Sequence, residues 1–488
     1  MPVKPLLRLR TSTLRRHVCF LVRSGAGKSF TGMVFVQEVP RQESASIIDD
    51  SIRRQLYRSS IRQPRASSPR EMETQPPFPV QRVSNRILYI VSMNHAVNDG
   101  SVYLLSSLFP VVISLFGLSV LQVGILVGLG YLVSVIFQPV VGRYSEGRDP
   151  KKVLALGIAI ISAAIASFVL ATDFLTLLGS ALLLRVGSSF FHPVGVSAVS
   201  KEYRGARLGH AMGFQSAFGN LGILLVFVSS APLYLLLGWK ATFLAFALVG
   251  VVDVAVTFFI FGTSHWNGRH TGRNKGTDHP ARAHQGRFGI PFFFVATTFI
   301  SGGSYSVILN FMNILLKEQN HLDVFRANVV VSAWIASTFF GAISTGTWSR
   351  ALRPILLLSL VYFTTAGSIF AFTFLSASLP LVITALLVNG FAISATYPLI
   401  YTELSRYLGL DATTRGRSFG TIFSAQTVGG SVLGLASGYL SDTFGLPFAF
   451  AGLGVLAFLA SGLTLSWERA AMTGGKKDSQ MQPPLRGA

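Results

Sequence analysis

The sequence predicts an all-α membrane protein whose twelve transmembrane helices form two six-helix halves. Three observations lead to this fold class. Half of the 488 residues are hydrophobic and only 12% are charged, whereas an ordinary soluble domain has roughly 25% charged residues. Lysine and arginine are concentrated in alternate loops between apolar runs, and landmarks of the first half recur in the second at a nearly constant spacing.

Each predicted helix is an apolar run of about 20 residues, the length that crosses roughly 30 Å of hydrocarbon at about 1.5 Å per residue. Twelve such runs follow one another, at residues 87–116, 121–144, 153–171, 174–200, 208–237, 241–262, 290–316, 324–348, 354–375, 379–401, 418–440 and 447–467. The first and fifth runs are long enough to be tilted or to extend beyond the bilayer.

The basic residues predict the orientation of these helices. If the N-terminus is cytoplasmic, 37 of the 41 lysines and arginines fall in cytoplasmic segments, and the outward loops hold only Lys240, Lys317 and Arg326. Cytoplasmic loops carry an excess of Lys and Arg in membrane proteins. We therefore predict a multi-pass protein of the cell (inner) membrane with both termini cytoplasmic. Its net charge of +21 encodes this orientation and does not indicate nucleic-acid binding.

The same pattern sets the domain boundaries. We predict a basic, disordered extension (1–84), two six-helix bundles (85–262 and 289–467), a cytoplasmic linker (263–288) and a cytoplasmic tail (468–488). For the extension, three interpretations stay open: a basic arm near anionic lipid, residues upstream of a true start at Met72, and an Arg-rich transit peptide.

Two local features of the extension exclude other chemistry. The segment SGAGKS at 24–29 lacks a glycine that a phosphate-binding loop requires, because position 22 is Val. The single cysteine, Cys19, excludes an internal disulfide and a cysteine-based zinc site. Neither a nucleotide nor a structural metal is therefore predicted.

Three pairs of landmarks indicate that six helices are duplicated. They are Gly142 and Gly346 at a spacing of 204, His192-Pro193 and Tyr397-Pro398 at 205, and Met212-Gly213-Phe214 and Phe419-Gly420-Thr421 at 207. Six-helix halves with a binding site near the midplane between them are typical of secondary transporters. The alternative is coincidence among glycine-rich helices.

Several segments resemble known transporter motifs. The loop GRYSEGRDPKK at 142–152 resembles the signature between the second and third helices of the major facilitator superfamily, with Glu146 where Asp is usual. The segments HAVNDG (95–100), FHPVG (191–195) and FQSAFGNLG (214–222) resemble the fosmidomycin resistance protein group of drug exporters. The resemblance implies that the first and fourth helices line a central cavity.

Charged residues inside the predicted helices are the strongest candidates for function, because an intramembrane Asp or Arg costs roughly 2.5–3.5 kcal/mol at mid-helix. Asp99 and Arg185 are predicted to face one another across the cavity, joined by His95 and His192. Arg185 offers a planar fork to a phosphonate, while Asp99, His95 and His192 are candidates for proton coupling, since His changes charge near neutral pH. The alternatives are that Asp99 and Arg185 only neutralise each other and that the histidines only pack.

Polar residues near these charges complete the candidate substrate site. Asn98 and Gln215 are predicted from the first half, and Tyr397 and Gln426 from the second. Gln215 shares a helix face with Gly219 and Gly222, and small residues let helices approach closely and slide. A tie between helices is the alternative for Gln215. Asn310 and Asn313 are further possible contacts from the second half.

Three other features enter the prediction. Pro193 removes a backbone hydrogen bond and bends the fourth helix, either to expose carbonyls to substrate or only for packing. In the loop, Gly142, Arg143, Glu146, Arg148 and Lys151 correspond to the family's cytoplasmic gate, and a purely topogenic basic loop is the alternative. Asp253, in the sixth helix, has no partner that the sequence suggests.

These features predict a secondary transporter, as the resemblance implies, that exports a small anionic drug such as fosmidomycin in exchange for protons. The expected partners are the small-molecule substrate, the proton and the lipid bilayer. We expect a monomeric antiporter that is not an enzyme and needs no cofactor or metal. The alternatives are a facilitator or importer of a sugar phosphate or organic anion on the same fold, and a non-transporting membrane sensor or enzyme.

Overall fold

The computed structural model describes residues 20–23, 29–32, 85–203, 205–259, 290–408 and 412–480. The chain forms two compact units, Met1–Gln81 and Arg82–Ala488. The described part of the first unit is an antiparallel hairpin of β1 (Phe20–Arg23) and β2 (Ser29–Gly32). The predicted disorder of the rest of 1–84 and the predicted linker 263–288 lie outside the described residues.

In its described ranges, the second unit consists of helices joined by short loops. They are α1 (Arg86–Ser107), α2 (Phe109–Phe116), α3 (Val120–Ser145), α4 (Pro150–Ser167), α5 (Phe174–Ser188), α6 (Phe191–Glu202), α7 (Gly205–Phe259), α8 (Phe292–Asn320), α9 (Val324–Ala351), α10 (Pro354–Phe374), α11 (Leu379–Leu408), α12 (Ala412–Phe444) and α13 (Leu446–Gln480).

These helices are consistent with twelve membrane crossings. Within the described residues, 9 helical segments are long and apolar enough to cross a membrane, and α1 with α2 makes a tenth as a span bent by 50°. The helix α7 counts once among them although its 55 residues reach about 80 Å, far beyond roughly 30 Å of hydrocarbon. Gly238 interrupts α7 at a φ of 76°, a conformation that glycine favours, and so divides it into two crossings. The glycine- and serine-rich α12 is the twelfth.

Prolines explain the two broken spans. Pro193 lacks an N–H and its ring clashes with the carbonyl four residues earlier, and the fourth span breaks at that place, between Ser188 and Phe191. Pro110 stands in the first turn of α2 and acts in the same way on the end of α1. The helix is thus interrupted just before His192, and the bend at Pro193 stays a prediction.

Polar caps begin the helices at the loops. Ser119 and Gln122 form a reciprocal capping box at the start of α3, which satisfies two backbone donors that the helix leaves free. At the start of α5, the Thr176 backbone N–H donates to Asp173 over 2.9 Å. This bond and that from the Thr176 hydroxyl hold the pKa of the Asp173 carboxyl below its usual value.

We call the side of the bundle at which α1 begins the terminal side, and the opposite side the distal side. The loops at Glu146 and Tyr203 lie on the terminal side, and those at Gly117 and His321 on the distal side. The twelve crossings return both ends of the bundle to the terminal side.

The predicted duplication appears as two equivalent helix crossings. In the first half α1 packs on α7, and in the second half α8 packs on α12. A Cβ on Gly222 would lie 1.9 Å from the carbonyl oxygen of Ala96, and one on Gly429 would lie 2.1 Å from that of Phe299. Both crossings therefore depend on a glycine at matching positions of the two halves.

We expect Gly222→Ala to destabilise the bundle by about 1–3 kcal/mol, the usual cost of overpacking a tight core, because the clash is with backbone that cannot rotate away. The matched control is Gly213→Ala on the same helix, which meets no atom within 4 Å and is expected to be neutral or slightly stabilising. Thermal unfolding of both purified variants in one detergent checks the difference. Equal melting temperatures would contradict the close α1–α7 contact.

The two halves meet in a polar seam on the distal side, formed by α1 and α2, α8, α9 and the first part of α7. Because α1 breaks before α2, the Ser107 carbonyl is free to accept from Asn313 Nδ2 at 3.3 Å. Asn313 Nδ2 also donates to Asn328 Oδ1 at 2.6 Å, and Asn328 Nδ2 donates to Ser230 Oγ at 3.1 Å. Two buried asparagines thus connect four spans from both halves.

Further hydrogen bonds reinforce this seam. Ser106 Oγ donates to Asn310 Oδ1 at 2.5 Å, and Lys317 Nζ donates to the Pro110 carbonyl at 3.1 Å. Asn310 and Asn313, which the sequence offered as substrate contacts, therefore belong to the distal seam instead. The reason is depth: both lie more than one turn beyond Tyr305, the last residue of α8 on the cavity wall.

We expect Asn313→Ala to open the distal side more often. Leaving a buried partner unsatisfied costs about 1–3 kcal/mol, so the distally open population should rise roughly tenfold. The measurement uses Val102→Cys on the cavity wall in a Cys19→Ser background. An impermeant maleimide added from the distal side should label this cysteine faster when the distal side opens more often. Asn389→Ala is the control, because Asn389 bonds to Trp334 and Ser368 inside one half; equal acceleration by both variants would refute the gating role.

Candidate functional site

A cavity of about 490 Å³ lies between the two halves. Six of the predicted site residues line it: His95, Asp99, Arg185 and His192 from the first half, and Tyr397 and Gln426 from the second. Helices α1, α3, α5, α6 and α7 form one wall, and α8, α9, α11 and α12 form the other. Residues of both halves therefore face one shared cavity.

His95 and Asp99 form a pair in this cavity. His95 Nε2 lies 3.1 Å from Asp99 Oδ2, and His95 Nδ1 lies 2.7 Å from the backbone carbonyl of Gln215. A carbonyl only accepts, so Nδ1 carries a hydrogen and neutral His95 would turn the Nε2 lone pair toward the carboxylate. That contact becomes attractive when one more proton lies between the two groups. The geometry is that of a pair that shares a proton.

The surroundings hold this pair in place. Asn98 Nδ2 donates to Asp99 Oδ1 at 2.8 Å. A Cβ on Gly219 would lie 2.7 Å from His95 Nε2 and 2.9 Å from Asp99 Oδ2, so only glycine leaves room for the pair at that position of α7. The small-residue stripe of α7 thus serves the site as well as the helix crossing.

Arg185 is a buried cation whose guanidinium stacks on an aromatic ring. Its Cζ lies 4.4 Å from the centroid of Tyr131, whose hydroxyl is 2.8 Å from that of Tyr103. Within the described residues, no carboxylate forms an ion pair with Arg185; Asp99 pairs with His95 instead. Asp99 and Arg185 therefore line the same cavity without forming an ion pair with each other.

His192 lies between His95 and the second half of the protein. Its ring centroid is 5.6 Å from that of His95 and 5.4 Å from that of Phe423 on α12. The break between α5 and α6 sets this position, because it precedes His192 directly. The two imidazoles therefore lie side by side on the cavity wall.

Two predicted substrate contacts lie outside the cavity wall. Asn98 is buried and bonds to Asp99, and Gln215 serves the site through its backbone carbonyl. The residues of α7 that line the cavity are Ser216, Asn220 and Ile223. Neither side chain lines the cavity in this structure. Asn98 of α1 turns to its neighbour Asp99, and α7 is rotated by about one residue, so that Ser216 faces the cavity in place of Gln215.

Sequence reasoning missed three tyrosines of the wall. Tyr103, Tyr131 and Tyr305 line the cavity beside the predicted Tyr397, and the buried hydroxyl of Tyr397 has no hydrogen-bond partner among the described residues. A signal was present: tyrosine is enriched at membrane interfaces, whereas several of these stand near the middle of a span. A mid-span tyrosine is therefore a cavity candidate in such a fold.

Sequence comparison identifies the family of this bundle. The profile of the Major Facilitator Superfamily matches residues 91–414 and 294–485. The chain belongs to the Major Facilitator Superfamily. As a member of this superfamily, it is a transporter with two six-helix halves around a central cavity, which agrees with the fold described above.

Two curated relatives of this superfamily member match part of its length. It is 32% identical over 199 residues to the Fosmidomycin resistance protein of Escherichia coli (strain K12), covering 40% of this chain and 47% of that protein. It is 31% identical over 136 residues to the uncharacterized MFS-type transporter YfnC of Bacillus subtilis (strain 168), covering 28% and 33%. The matched regions span less than half of either relative.

Solved structures of the superfamily share the fold. A bacterial homolog of the human lysosomal transporter Spinster, in an inward-facing and occupied conformation, gives a TM-score of 0.64 at 14% identity over 78% of this chain and 96% of that one. The nucleoside transporter NupG gives a TM-score of 0.60 at 13% identity over 78% and 98%. At these identities the likeness concerns the fold alone.

The loop that carries the superfamily signature makes contacts within itself. Arg148 stacks on Tyr144 at 4.0 Å and donates to its carbonyl, while Asp149 caps α4 by accepting from the Lys151 N–H. Within the described residues, no ion pair involves Arg143, Glu146 or Arg148. Among the described residues, the gate that the resemblance implies is thus not closed by ion pairs of Arg143, Glu146 or Arg148.

Asp253 of this transporter stays apart from the cavity. It is buried in the second part of α7, and neither carboxylate oxygen has a hydrogen-bond partner among the described residues. The closest polar group in sequence is Thr257, one turn on, which accepts from Asn94 Nδ2 at 3.1 Å. Asp253 is therefore a buried carboxylate outside the cavity, which suits it as a control for Asp99.

Proposed function

We propose that this transporter exports a small anionic drug such as fosmidomycin in exchange for protons. The observation that carries the proposal is Arg185: a permanent cation, buried in the cavity, without a carboxylate partner in the described part of the chain. A buried charge is costly unless it is paired. An anionic ligand supplies the missing partner, and a phosphonate fits the planar fork of the guanidinium.

The substrate has a polar partner on the opposite wall as well. Tyr397 and Gln426 line the cavity from the second half, and the orphaned Tyr397 hydroxyl offers one hydrogen bond. A small ligand held by Arg185 on one side and by these groups on the other would bridge the two halves. Such a ligand favours closure around itself, which alternating access requires.

Proton coupling follows from the His95–Asp99 pair. We infer that the pair shares a proton between Nε2 and Oδ2, which lie 3.1 Å apart, and that His192 beside it accepts another. In the proposed cycle, substrate bound at Arg185 favours loss of this proton on one side of the membrane, and protonation on the other side favours release. No cofactor is needed, because the proton gradient is the driving force, and one chain contains the whole cavity, so a monomer suffices.

The direction of transport depends on orientation. The concentration of Lys and Arg in the terminal-side segments supports cytoplasmic termini in the cell (inner) membrane, with the distal seam toward the exterior. The relative in Escherichia coli named for fosmidomycin resistance supports export. The second candidate, a facilitator or importer of a sugar phosphate or organic anion, is favoured by the same unpaired Arg185 and differs only in substrate and direction.

The test is flux in proteoliposomes that contain the purified chain. We expect a pH gradient to drive saturable accumulation of fosmidomycin against its concentration, without conversion to a product. Sugar-phosphate counterflow without a response to the pH gradient would favour the second candidate. Chemical conversion of the added anion, or no saturable flux of any anion, would favour an enzyme or a sensor and overturn the proposal.

A further inference from the structure

We propose that His95, Asp99 and His192 form a binding site for a divalent transition-metal ion such as Zn²⁺. The candidate ligand atoms of these three residues lie within 4.8 Å of one another. Two imidazoles and one carboxylate are a ligand set that suits Zn²⁺, Co²⁺ or Ni²⁺. The site lies in the cavity wall, so further coordination positions face the cavity.

The geometry around the cluster is that of a prepared metal site. Metal-bound histidines commonly donate their other ring N–H to a backbone carbonyl, which fixes the tautomer. His95 does this: its Nδ1 lies 2.7 Å from the Gln215 carbonyl and its Nε2 faces the cluster. Asn98 holds the second oxygen of Asp99 at 2.8 Å, so the carboxylate is oriented too.

The distances require only a small adjustment. With bonds of about 2.0–2.2 Å to nitrogen and oxygen, ligand atoms around Zn²⁺ lie roughly 3–3.5 Å apart. His95 Nε2 and Asp99 Oδ2 are already 3.1 Å apart. His192 needs to approach by about an ångström or more, and it stands in the first turn of α6, just after the break that separates α6 from α5.

A metal and a proton would compete for the same atoms. Metal ligands must be deprotonated, and the proton shared by His95 and Asp99 occupies the position that the metal takes. Metal affinity is therefore expected to fall as the pH is lowered. The other charged and titratable groups that face this cavity are Arg185, Tyr103, Tyr131, Tyr305, Tyr397 and Tyr401; of these only Arg185 carries a charge at neutral pH.

The experiment measures metal binding alone, without substrate or a pH gradient. The sequence places four histidines, His265, His270, His279 and His284, in the predicted linker, and these are replaced by Gln to remove competing sites. In this background we expect the full chain to bind one equivalent of Zn²⁺ in calorimetry, with visible absorption of Co²⁺ that indicates nitrogen and oxygen ligands. His192→Gln and Asp99→Asn should each weaken binding by more than about 100-fold.

A milder variant keeps the proposal testable if those proteins fold poorly. Asn98→Ala removes only the support of Asp99 and should weaken binding by about 10–100-fold, while His321→Asn in the distal loop should leave it unchanged. Absence of a one-to-one Zn²⁺ site in the background protein, or unchanged affinity in His192→Gln and Asp99→Asn, would overturn the site. Neither result bears on anion transport, which the flux assay tests separately.

Discussion

Arg185→Ala is expected to reduce transport of an anionic drug by about 30-fold or more. Removing one partner of a buried, hydrogen-bonded charge pair costs about 2–5 kcal/mol, and the cavity offers no other permanent cation in the described part of the chain. Arg185→Lys should retain part of the activity, because it keeps the charge but loses the planar fork and the stack on Tyr131. Initial rates of fosmidomycin flux in proteoliposomes provide the measurement.

The control for this experiment is Arg326→Ala. Arg326 is exposed at the distal start of α9, beside Asp323, where a surface pair contributes about 0–1 kcal/mol. We expect its flux to equal that of the wild type. If Arg185→Ala transported the drug at the wild-type rate while remaining folded, Arg185 would not be the anion site.

Asp99→Asn is expected to uncouple transport from the proton gradient. One pH unit corresponds to about 1.4 kcal/mol for each coupled proton, or roughly tenfold accumulation. The amide cannot share a proton with His95 as the carboxylate does, so the accumulation ratio should fall from about ten to about one. Exchange of labelled for unlabelled drug at equal pH should continue, because Arg185 is unchanged.

Asp253→Asn is the matched control, since it removes the other buried intramembrane carboxylate, which lies outside the cavity wall. Accumulation by this variant should still respond to the pH gradient. Pumping by Asp99→Asn at the wild-type ratio would exclude the His95–Asp99 pair from coupling. Loss of pumping in both variants together would show that the control carboxylate takes part as well.

Much of this fold is predictable because membrane insertion leaves a strong record in the sequence. Apolar runs, alternating basic loops and the repeat near 205 residues predict the crossings and the two halves. The rarity of charge inside a bilayer, together with the resemblance that places the first and fourth helices at a cavity, also predicts the core of the site: Asp99, Arg185, His95 and His192 all line the cavity.

The sequence does not determine how α7 is rotated about its axis or which group pairs with Asp99. A shift of about one residue in the rotation of α7 decides whether Gln215 or Ser216 faces the cavity, and periodicity cannot resolve it. Whether Asp99 pairs with His95 or with Arg185 depends on how the Gln215 carbonyl orients His95 and on the space left by Gly219. Both arise from how closely α1 and α7 pack, which becomes visible only in three dimensions.

The ring of Tyr131 links Arg185 to the opposite half of the protein. A Cβ added to Gly430, on α12 of the opposite half, would lie 3.2–3.3 Å from three atoms of that ring. The same ring therefore touches the cation of one half and the backbone of the other. A ligand that draws Arg185 away from Tyr131 would therefore free this ring to move against α12, so that binding in the cavity reaches the contact between the two halves.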